Sequence, residues 1–298
     1  MQASSVLDAM RFRLSDFGVE VHSDCRVKGI EKGFKIICQD GKVFSAKRVI
    51  VACGGAAMPK TGSDGSGAKL LESLGHTINP LLPAVVQLKT DTTYTKQLKG
   101  IKIDAEASVY AGDDVLQSSL GEVLFTDYGL SGPPILELSR EAVRCENAEV
   151  SIDIMPTISR IKLVQDIVER SKILKGRELA EFFTGMINKR LGQVIIKSCE
   201  LSLHDKLKTL TLDDAEKLAK KIKDFRFKVY GNTGFANAQT TAGGAKTSEF
   251  DKATLESEIV DGLYATGEVL DIDGDCGGYN LHWAWASGIL AGMSAAGK

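Results

Sequence analysis

The sequence predicts an α/β protein that combines three kinds of structure. Residues 48–53 are apolar without alternation and run into Gly54-Gly55, a pattern typical of a buried parallel strand. Residues 101–109 alternate apolar and polar side chains, as an antiparallel strand does. Residues 159–223 carry three apolar stripes with helical spacing. We therefore expect a parallel-sheet domain, an antiparallel β module and a helical subdomain.

The amino-acid composition argues against several classes of function. The 298 residues carry a net charge of −2, which gives no support for nucleic acid or an anionic membrane as the main partner. We find no apolar run near the roughly 18 residues that span a bilayer, and no signal peptide. Six cysteines without C-x-x-C spacing and four scattered histidines predict reduced thiols of a cytoplasmic protein, and neither a disulfide framework nor a metal site.

The N-terminal segment predicts a helix followed by short strands. Apolar residues recur at helical spacing from Leu7 to Phe17, and Gly18 ends the helix. Residues 19–21, 27–30 and 34–38 are predicted strands, and the last turns at Asp40-Gly41 into another short one. A helix over residues 68–74 follows the Gly-rich stretch 62–67.

The middle of the chain predicts an antiparallel sheet or small barrel and then helices. Within the β module, a strand enters Tyr128-Gly-Leu-Ser-Gly-Pro133, which has to turn sharply into a helix. Helical stripes cover residues 161–168, 179–187 and 215–222, and we expect the Phe and Met side chains of the second to be core. Residues 225–229 alternate as a returning strand, and residues 231–244 are predicted to be a loop.

The most informative stretch lies near the C-terminus. A short strand over residues 263–266 breaks into an acidic loop with Glu268, Asp271, Asp273 and Asp275, and a Gly277-Gly278 pair then opens a helix from about Asn280 to Ala291. Glycine lets the backbone approach a flat or anionic group, and the helix N-terminus attracts negative charge. A small-residue stripe on this helix permits close packing on a sheet or a cofactor.

This stretch resembles the C-terminal flavin-binding signature of bacterial flavoproteins of the BaiN-like or HI0933-like (aminoacetone-oxidase-like) family. Thr240-Thr-Ala-Gly-Gly244, Leu255-Glu-Ser257, Gly267-Glu268 and Gly277-Gly-Tyr-Asn280 follow the family's order, and the resemblance covers essentially the whole chain. It implies a partial FAD/NAD(P)-binding Rossmann-like domain with an inserted barrel-like β module and a helical subdomain. The implied domains are residues 1–85 with 240–298 (FAD-binding), 86–158 with 224–239 (antiparallel β) and 159–223 (helical).

The resemblance also implies site residues. Those expected at the cofactor are Val27, Ala52, Gly54, Gly55, Gly267, Glu268, Asp273, Gly277, Gly278, Tyr279, Asn280 and Leu281. His282 stands where the family often has Gln and is either a solvent-facing residue or a proton donor. Asp127 stands where the family often has His. The corner that contains Asp127 is either a rigid strand-to-helix turn or a part of the site.

The implied function is that of an FAD-dependent oxidoreductase acting on a small organic substrate, with NAD(P)H as a further candidate reductant. No G-x-G-x-x-G phosphate-binding turn appears near the start, so we expect a truncated chain, a missing N-terminal half or supply of that half by an oligomeric partner. The alternative is a non-catalytic remnant that keeps the fold as a binding or assembly protein. A relative of tRNA-modifying flavoproteins is a third option, which the near-neutral charge disfavours.

Overall fold

The computed structural model describes residues 3–297, and the chain divides into a first unit, Met1–Val49, and a second unit, Ile50–Lys298. The first unit contains the predicted N-terminal helix α1 (Ala3–Asp16) and an antiparallel sheet of β1 (Val27–Glu31), β2 (Lys35–Cys38) and β3 (Val43–Ser45). The strand predicted over residues 19–21 is wrong, because these residues form a connection outside any helix or sheet.

A closed six-stranded barrel dominates the second unit. Its strands are β6 (Leu88–Thr90), β7 (Lys102–Ala111), β8 (Asp114–Phe125), β9 (Gly129–Ser131), β10 (Glu149–Asp153) and β11 (Phe225–Asn232). Their order around the barrel is β10-β11-β6-β9-β8-β7, and all six neighbouring pairs are antiparallel. The predicted alternation is confirmed, since Ala105, Ala107 and Val109 of β7 are buried inside. The chain is therefore the predicted α/β protein with a barrel-like module.

Helices of the second unit share one hydrophobic core with the barrel. They are α3 (Thr92–Thr95), α4 (Pro133–Arg144), α5 (Arg160–Ile173), α6 (Lys189–Ser198) and α7 (Leu212–Lys223). The helix predicted over residues 179–187 is wrong: a 3-10 turn, Leu179–Glu181, leads into turns, and α6 begins only after the Asn188 cap. Phe182 and Phe183 are nevertheless buried in the core as expected, because hydrophobic burial does not require regular helix there.

The remaining elements of the second unit position the site. They are β4 (Val49–Val51), which starts at the unit boundary, α2 (Ser66–Ser73), β5 (Ile78–Ala84), β12 (Thr240–Ala245), β13 (Leu263–Ala265) and α8 (Tyr279–Ala295). The buried strand predicted over residues 48–53 shrinks to three residues, and Ile50 is 40% exposed. In the part of the chain that the structure describes, β4 forms a two-stranded sheet with β13.

The loop predicted over residues 231–244 is wrong for its second half. Residues 240–245 form β12, whose six residues are all buried, and β12 pairs antiparallel with β5. Gly243 has a φ of 89° and lies against the carbonyl of Pro80, where a Cβ atom would overlap. Long-range pairing therefore overrides a Gly- and Thr-rich composition that is typical of loops. Of the described helices, none is both long enough and apolar enough to cross a bilayer.

The strand-to-helix corner of the barrel depends on a glycine. Gly132 has a φ of 100°, and a Cβ atom there would overlap the carbonyl oxygen of Glu122 on β8. Gly112, in the turn between β7 and β8, has a φ of 64° but open space around it.

We expect Gly132→Ala to destabilise the protein by at least about 3 kcal/mol, because it combines backbone strain with a steric overlap. Gly112→Ala, the matched control, adds only the backbone strain and costs about 1 kcal/mol. Urea unfolding followed by circular dichroism measures both. Equal losses in the two variants would show that the overlap with Glu122 is relieved at no cost.

Candidate functional site

A cleft of about 530 Å³ opens in the second unit where α8 begins. We call it the α8 cleft. Its lining residues are Ala52, Gly54, Val85, Gln239, Thr240, Thr266, Gly267, Glu268, Asp275, Cys276, Gly277, Gly278, Asn280, Leu281, Ala284 and Gly288. These residues come from the segment after β4, the end of β5, the start of β12, the loop after β13 and α8.

The start of α8 gives one side of the cleft its electrostatic character. Gly278 caps the helix in a left-handed conformation with a φ of 100°, and no side chain caps it. The first intrahelical bond runs from the His282 amide to the Gly278 carbonyl at 3.0 Å. The first amides of the helix therefore lack intrahelical partners and give the cleft a positive dipole end.

The Asn280 side chain holds the acidic loop against the helix. Its Oδ1 accepts a hydrogen bond from the Gly274 amide at 2.8 Å, and its Nδ2 donates to the Gly274 carbonyl at 2.9 Å. This two-point clamp fixes the path of the backbone into Gly277 and Gly278. Asp271 holds the other end of the loop, accepting hydrogen bonds from Asn79 Nδ2 at 2.6 Å and from the Gly243 amide at 3.0 Å.

Small residues let α8 pack on the strand beneath it. Ser287 is buried, and its Oγ accepts hydrogen bonds from Thr266 Oγ1 at 2.7 Å and from the Gly267 amide at 3.0 Å. Trp283 Nε1 donates to the Gly267 carbonyl at 3.1 Å. The predicted small-residue stripe, which consists of Ala284, Ser287, Gly288 and Ala291, thus has two roles: Ser287 and Ala291 are buried, while Ala284 and Gly288 line the cleft.

Thr241 ties the glycine turn after β4 to the floor of the cleft. Its Oγ1 accepts hydrogen bonds from the amides of Ala56 at 2.8 Å and Ala57 at 3.0 Å, and its own amide donates to Glu268 Oε1 at 2.9 Å. A Cβ atom on Gly55 would overlap both Thr241 Oγ1 and Glu268 Oε1. Only glycine therefore fits at position 55, where the backbone packs against the floor of the cleft.

Thr240 carries a hydroxyl group that the protein does not satisfy. The residue is 4% exposed, it lines the cleft, and its Oγ1 has no hydrogen-bond partner among the described residues. A buried hydroxyl without a partner costs about 1–3 kcal/mol, so its place at a cleft points to a bound group. Together with the glycines and the helix N-terminus, it fits a planar group that carries partial negative charge.

Eight of the residues expected at a cofactor lie on this cleft: Ala52, Gly54, Gly267, Glu268, Gly277, Gly278, Asn280 and Leu281. Gly55 lies in the floor, and Tyr279 begins α8 with its side chain 65% exposed. Val27 is the first residue of β1 in the first unit. Their roles toward a cofactor stay predictions.

Asp273 is not one of the described residues that line the cleft. Its side chain is 7% exposed and forms an ion pair with Arg140, whose Nε lies 2.6 Å from Oδ2. Arg144 lies within 3.9 Å of Oδ1. Asp273 therefore anchors the acidic loop to α4, and its expected contact with a cofactor stays a prediction.

Neither candidate acid–base residue lies on the cleft lining. His282 is exposed on α8. Asp127 lies in the turn between β8 and β9, where its Oδ2 accepts a hydrogen bond from Lys99 Nζ at 2.6 Å. This hydrogen bond lowers the pKa of Asp127. Their catalytic roles stay predictions.

Several cleft residues escaped the sequence prediction. Thr240 belongs to a segment that resembles the family but is not among the predicted site residues, and Cys276 is exposed beside Asp275 on the lining. For Cys276, the adjacent predicted Gly277 was the one available signal. The sequence gives no signal for Val85 and Gln239, because only the tertiary pairing of β5 with β12 brings them to the cleft.

A buried Ser-His-Glu arrangement also lies in the second unit, although the sequence showed no such grouping. His76 Nε2 lies 3.0 Å from Ser257 Oγ, and His76 Nδ1 lies 3.0 Å from Glu249 Oε2. Ser257 and His76 are buried, and Ser257 Oγ also accepts hydrogen bonds from the amides of Ile259 and Val260. This saturated serine holds a loop and has no free reach for a substrate.

The sequence matches the HI0933-like protein Rossmann domain over residues 1–294. The chain belongs to the HI0933-like family. One relative is the 3-dehydro-bile acid delta(4,6)-reductase of Clostridium scindens, with 37% identity over 99% of this chain and 74% of that protein.

Two further relatives are ribosomal RNA dihydrouridine synthases. The Escherichia coli protein is 30% identical over 86% of the HI0933-like chain, which spans 62% of its length. The Haemophilus influenzae protein is 26% identical, over 98% of this chain and 72% of its own. The three relatives have the names of enzymes, so they give no support for the non-catalytic alternative.

Glu268 is the carboxyl group of the cleft with a perturbed pKa. Burial raises its pKa above the ordinary value, against hydrogen bonding by Thr241, which lowers it, and the negative charge of Asp273 raises it further. The folded protein thus binds this proton more tightly than the unfolded chain does. The stability that results is fully present below the ordinary pKa and is lost as pH rises through the raised pKa.

We expect Glu268→Gln to remove this pH dependence and keep an oxygen that accepts from the Thr241 amide. Near pH 7 the variant should equal or exceed the parent in stability, by less than about 1 kcal/mol because the side chain is partly solvated. Unfolding free energies at pH 4 to 8 measure the effect, with the exposed Glu258→Gln as control. A variant that loses stability throughout this range would contradict the assigned charge effect.

Proposed function

We propose that this chain is part of an FAD-dependent oxidoreductase that reduces a carbon–carbon double bond conjugated to a carbonyl group in an organic substrate. The observation that carries the proposal is the α8 cleft, where an uncapped helix N-terminus and the unpartnered Thr240 hydroxyl face the same space. The relatives support the reaction class, since one is named a reductase and the others synthesise dihydrouridine, in which a uridine double bond is saturated.

The residues of the cleft fit a flavin. Gly54, Gly277 and Gly278 present backbone without side chains, so a flat ring system can approach closely. Reduced FAD, when bound, supplies a hydride to an electron-poor carbon. The amides that begin α8 would stabilise negative charge on the group they face, and the Thr240 hydroxyl would gain the hydrogen bond that it lacks.

Glu268 is suited to hold a proton beside the cleft. Its raised pKa favours the neutral carboxyl, and the Thr241 amide fixes Oε1 at 2.9 Å. Reduction of a conjugated double bond needs one proton for each hydride delivered, and a carboxyl with a raised pKa serves as a donor. NAD(P)H is the reductant that we propose for the flavin. The free cysteines support our proposal of a reducing, cytoplasmic location.

We expect the purified chain to retain flavin absorbance after incubation with FAD and desalting. Thr240→Val should weaken FAD binding about fivefold, the equivalent of one hydrogen bond of about 1 kcal/mol. The matched variant Thr240→Ser keeps the hydroxyl and should bind FAD as the parent does. Titration of flavin fluorescence measures the three affinities.

Activity is then measured without oxygen, with NADH or NADPH and a 3-oxo-Δ4 steroid acid, as a gain of two hydrogens by mass spectrometry. Flavin that is fully lost on desalting, or equal FAD affinity of Thr240→Val and the parent, would contradict the cofactor assignment. Bound flavin with no reduction of this compound would contradict the small-molecule substrate only.

RNA is a second candidate substrate, favoured by the charge distribution. Residues 159–223 contain 15 Lys and Arg against 9 Asp and Glu, although the whole chain has a net charge of −2. A pocket of about 600 Å³ on this part is lined by Lys172, Lys175 and Lys208, and no acidic residue stands among its described lining residues. Such a local excess suits a phosphate backbone.

We expect charge reversal of Lys172, Lys175 and Lys208 to Glu to weaken binding of a uridine-rich RNA hairpin. The slope of log affinity against log salt concentration should also fall, by the amount that corresponds to about three phosphate contacts. Reversal of the exposed Lys28, Lys32 and Lys47, outside the helical part, is the control. Equal losses in both triple variants would show that only net charge acts, and no binding by the parent would rule out this candidate.

A further inference from the structure

Two cysteines of the first unit face each other, although 12 residues separate them in the chain. Cys25 Sγ and Cys38 Sγ lie 3.0 Å apart. A disulfide bond has a sulfur–sulfur distance of about 2.0 Å, so the two atoms need to approach by only about 1 Å. Cys25 precedes β1, and Cys38 is the last residue of β2.

The backbone holds the pair in place. Cys38 is opposite Val27 in the antiparallel pairing of β1 with β2, and the Gln39 amide donates to the Arg26 carbonyl at 2.8 Å. The Cys38 amide donates to the Lys42 carbonyl at 2.9 Å. The bonds on either side of the two thiols fix their separation, so the proximity belongs to the hairpin and does not depend on flexible side chains alone.

The two thiols differ in exposure. Cys38 is 3% exposed, whereas Cys25 is half-buried and reaches solvent. The hydrogen bond with Cys25, together with burial, raises the pKa of Cys38 to about 11. Cys25 is therefore the thiol that an external oxidant meets, and Cys38 is placed to attack only after Cys25 has reacted.

We propose that Cys25 and Cys38 form a reversible dithiol–disulfide couple, with a low-molecular-weight disulfide as the oxidant. The Cys25 thiolate attacks one sulfur of the oxidant, releases one small thiol and forms a mixed disulfide. Cys38 loses its proton to solvent and attacks Cys25 Sγ, which breaks the mixed bond and releases the second small thiol. The protein loses two electrons and two protons, and the oxidant gains them.

A metal site explains the same cluster less well. Ligand atoms of Cys25, Cys38 and Asp40 lie within 4.8 Å of one another. However, Lys42 Nζ lies 3.0 Å from Asp40 Oδ2, so this carboxylate already has a cationic partner, and the ammonium group repels a second cation. The couple depends on the first unit alone and is independent of the proposed function.

The test equilibrates the full chain in glutathione buffers of increasing oxidised fraction, quenches with acid and counts thiols after denaturation. We expect two of the six thiols to disappear in one transition and to return when reduced glutathione is restored. Trypsin should then release residues 14–26 and 36–42 as one linked peptide, two hydrogens lighter than the separate peptides.

Matched variants separate this couple from general oxidation. Cys25→Ser and Cys38→Ser should each abolish the transition, while Cys53→Ser and Cys276→Ser, which remove exposed thiols, should keep it. The couple is overturned if six thiols persist, if the linked peptides join other cysteines or if Cys25 stops at the mixed disulfide. Protection of both thiols by one equivalent of Zn²⁺ in the parent, removed by a chelator, would likewise replace it with a metal site.

Discussion

The α8 cleft depends on the two polar groups of Thr241. Its hydroxyl holds the amides of Ala56 and Ala57, and its amide holds Glu268, so one residue joins the turn after β4 to the loop after β13. Because Thr241 is fully buried in β12, these hydrogen bonds form away from water, where a lost partner costs most. The same contact requires glycine at position 55, because a side chain there would overlap Thr241 and Glu268. One buried strand residue therefore joins two of the segments that line the cleft.

The neighbouring residue shows how the same strand serves function as well as packing. Thr240 and Thr241 are both buried, yet only the second has a satisfied hydroxyl. A strand places successive side chains on opposite faces, so Thr240 points to the cleft and Thr241 points to the floor. Ser257 presents the opposite case, because its hydroxyl is hydrogen-bonded to His76 and accepts from two amides. A polar residue therefore indicates a site only where its hydrogen-bonding capacity is left open.

The net charge of the whole chain does not describe the charge of its parts. A net charge of −2 argues against nucleic acid when it is averaged over the chain, but residues 159–223 hold a clear excess of Lys and Arg. Electrostatic attraction acts over about 10 Å at ordinary salt, so a local surface determines association and the average does not. The RNA-modifying relatives make this distribution relevant to the substrate, whereas the reductase of Clostridium scindens is named for a small molecule. The proposed reaction class covers both kinds of substrate.

The sequence by itself determined the fold class, the alternating strands such as β7, the strand at residues 263–265 and the start of α8 at Gly278, because these depend on residues close in the chain. Only the tertiary structure decided that residues 240–245 are a strand, since their glycines suit a loop until β5 pairs with them. It also decided which residues line the cleft, and it brought Cys25 to Cys38. The physical reason is the same in each case: periodicity and turn chemistry are local, whereas hydrogen bonds and packing between distant segments exist only after the chain has folded.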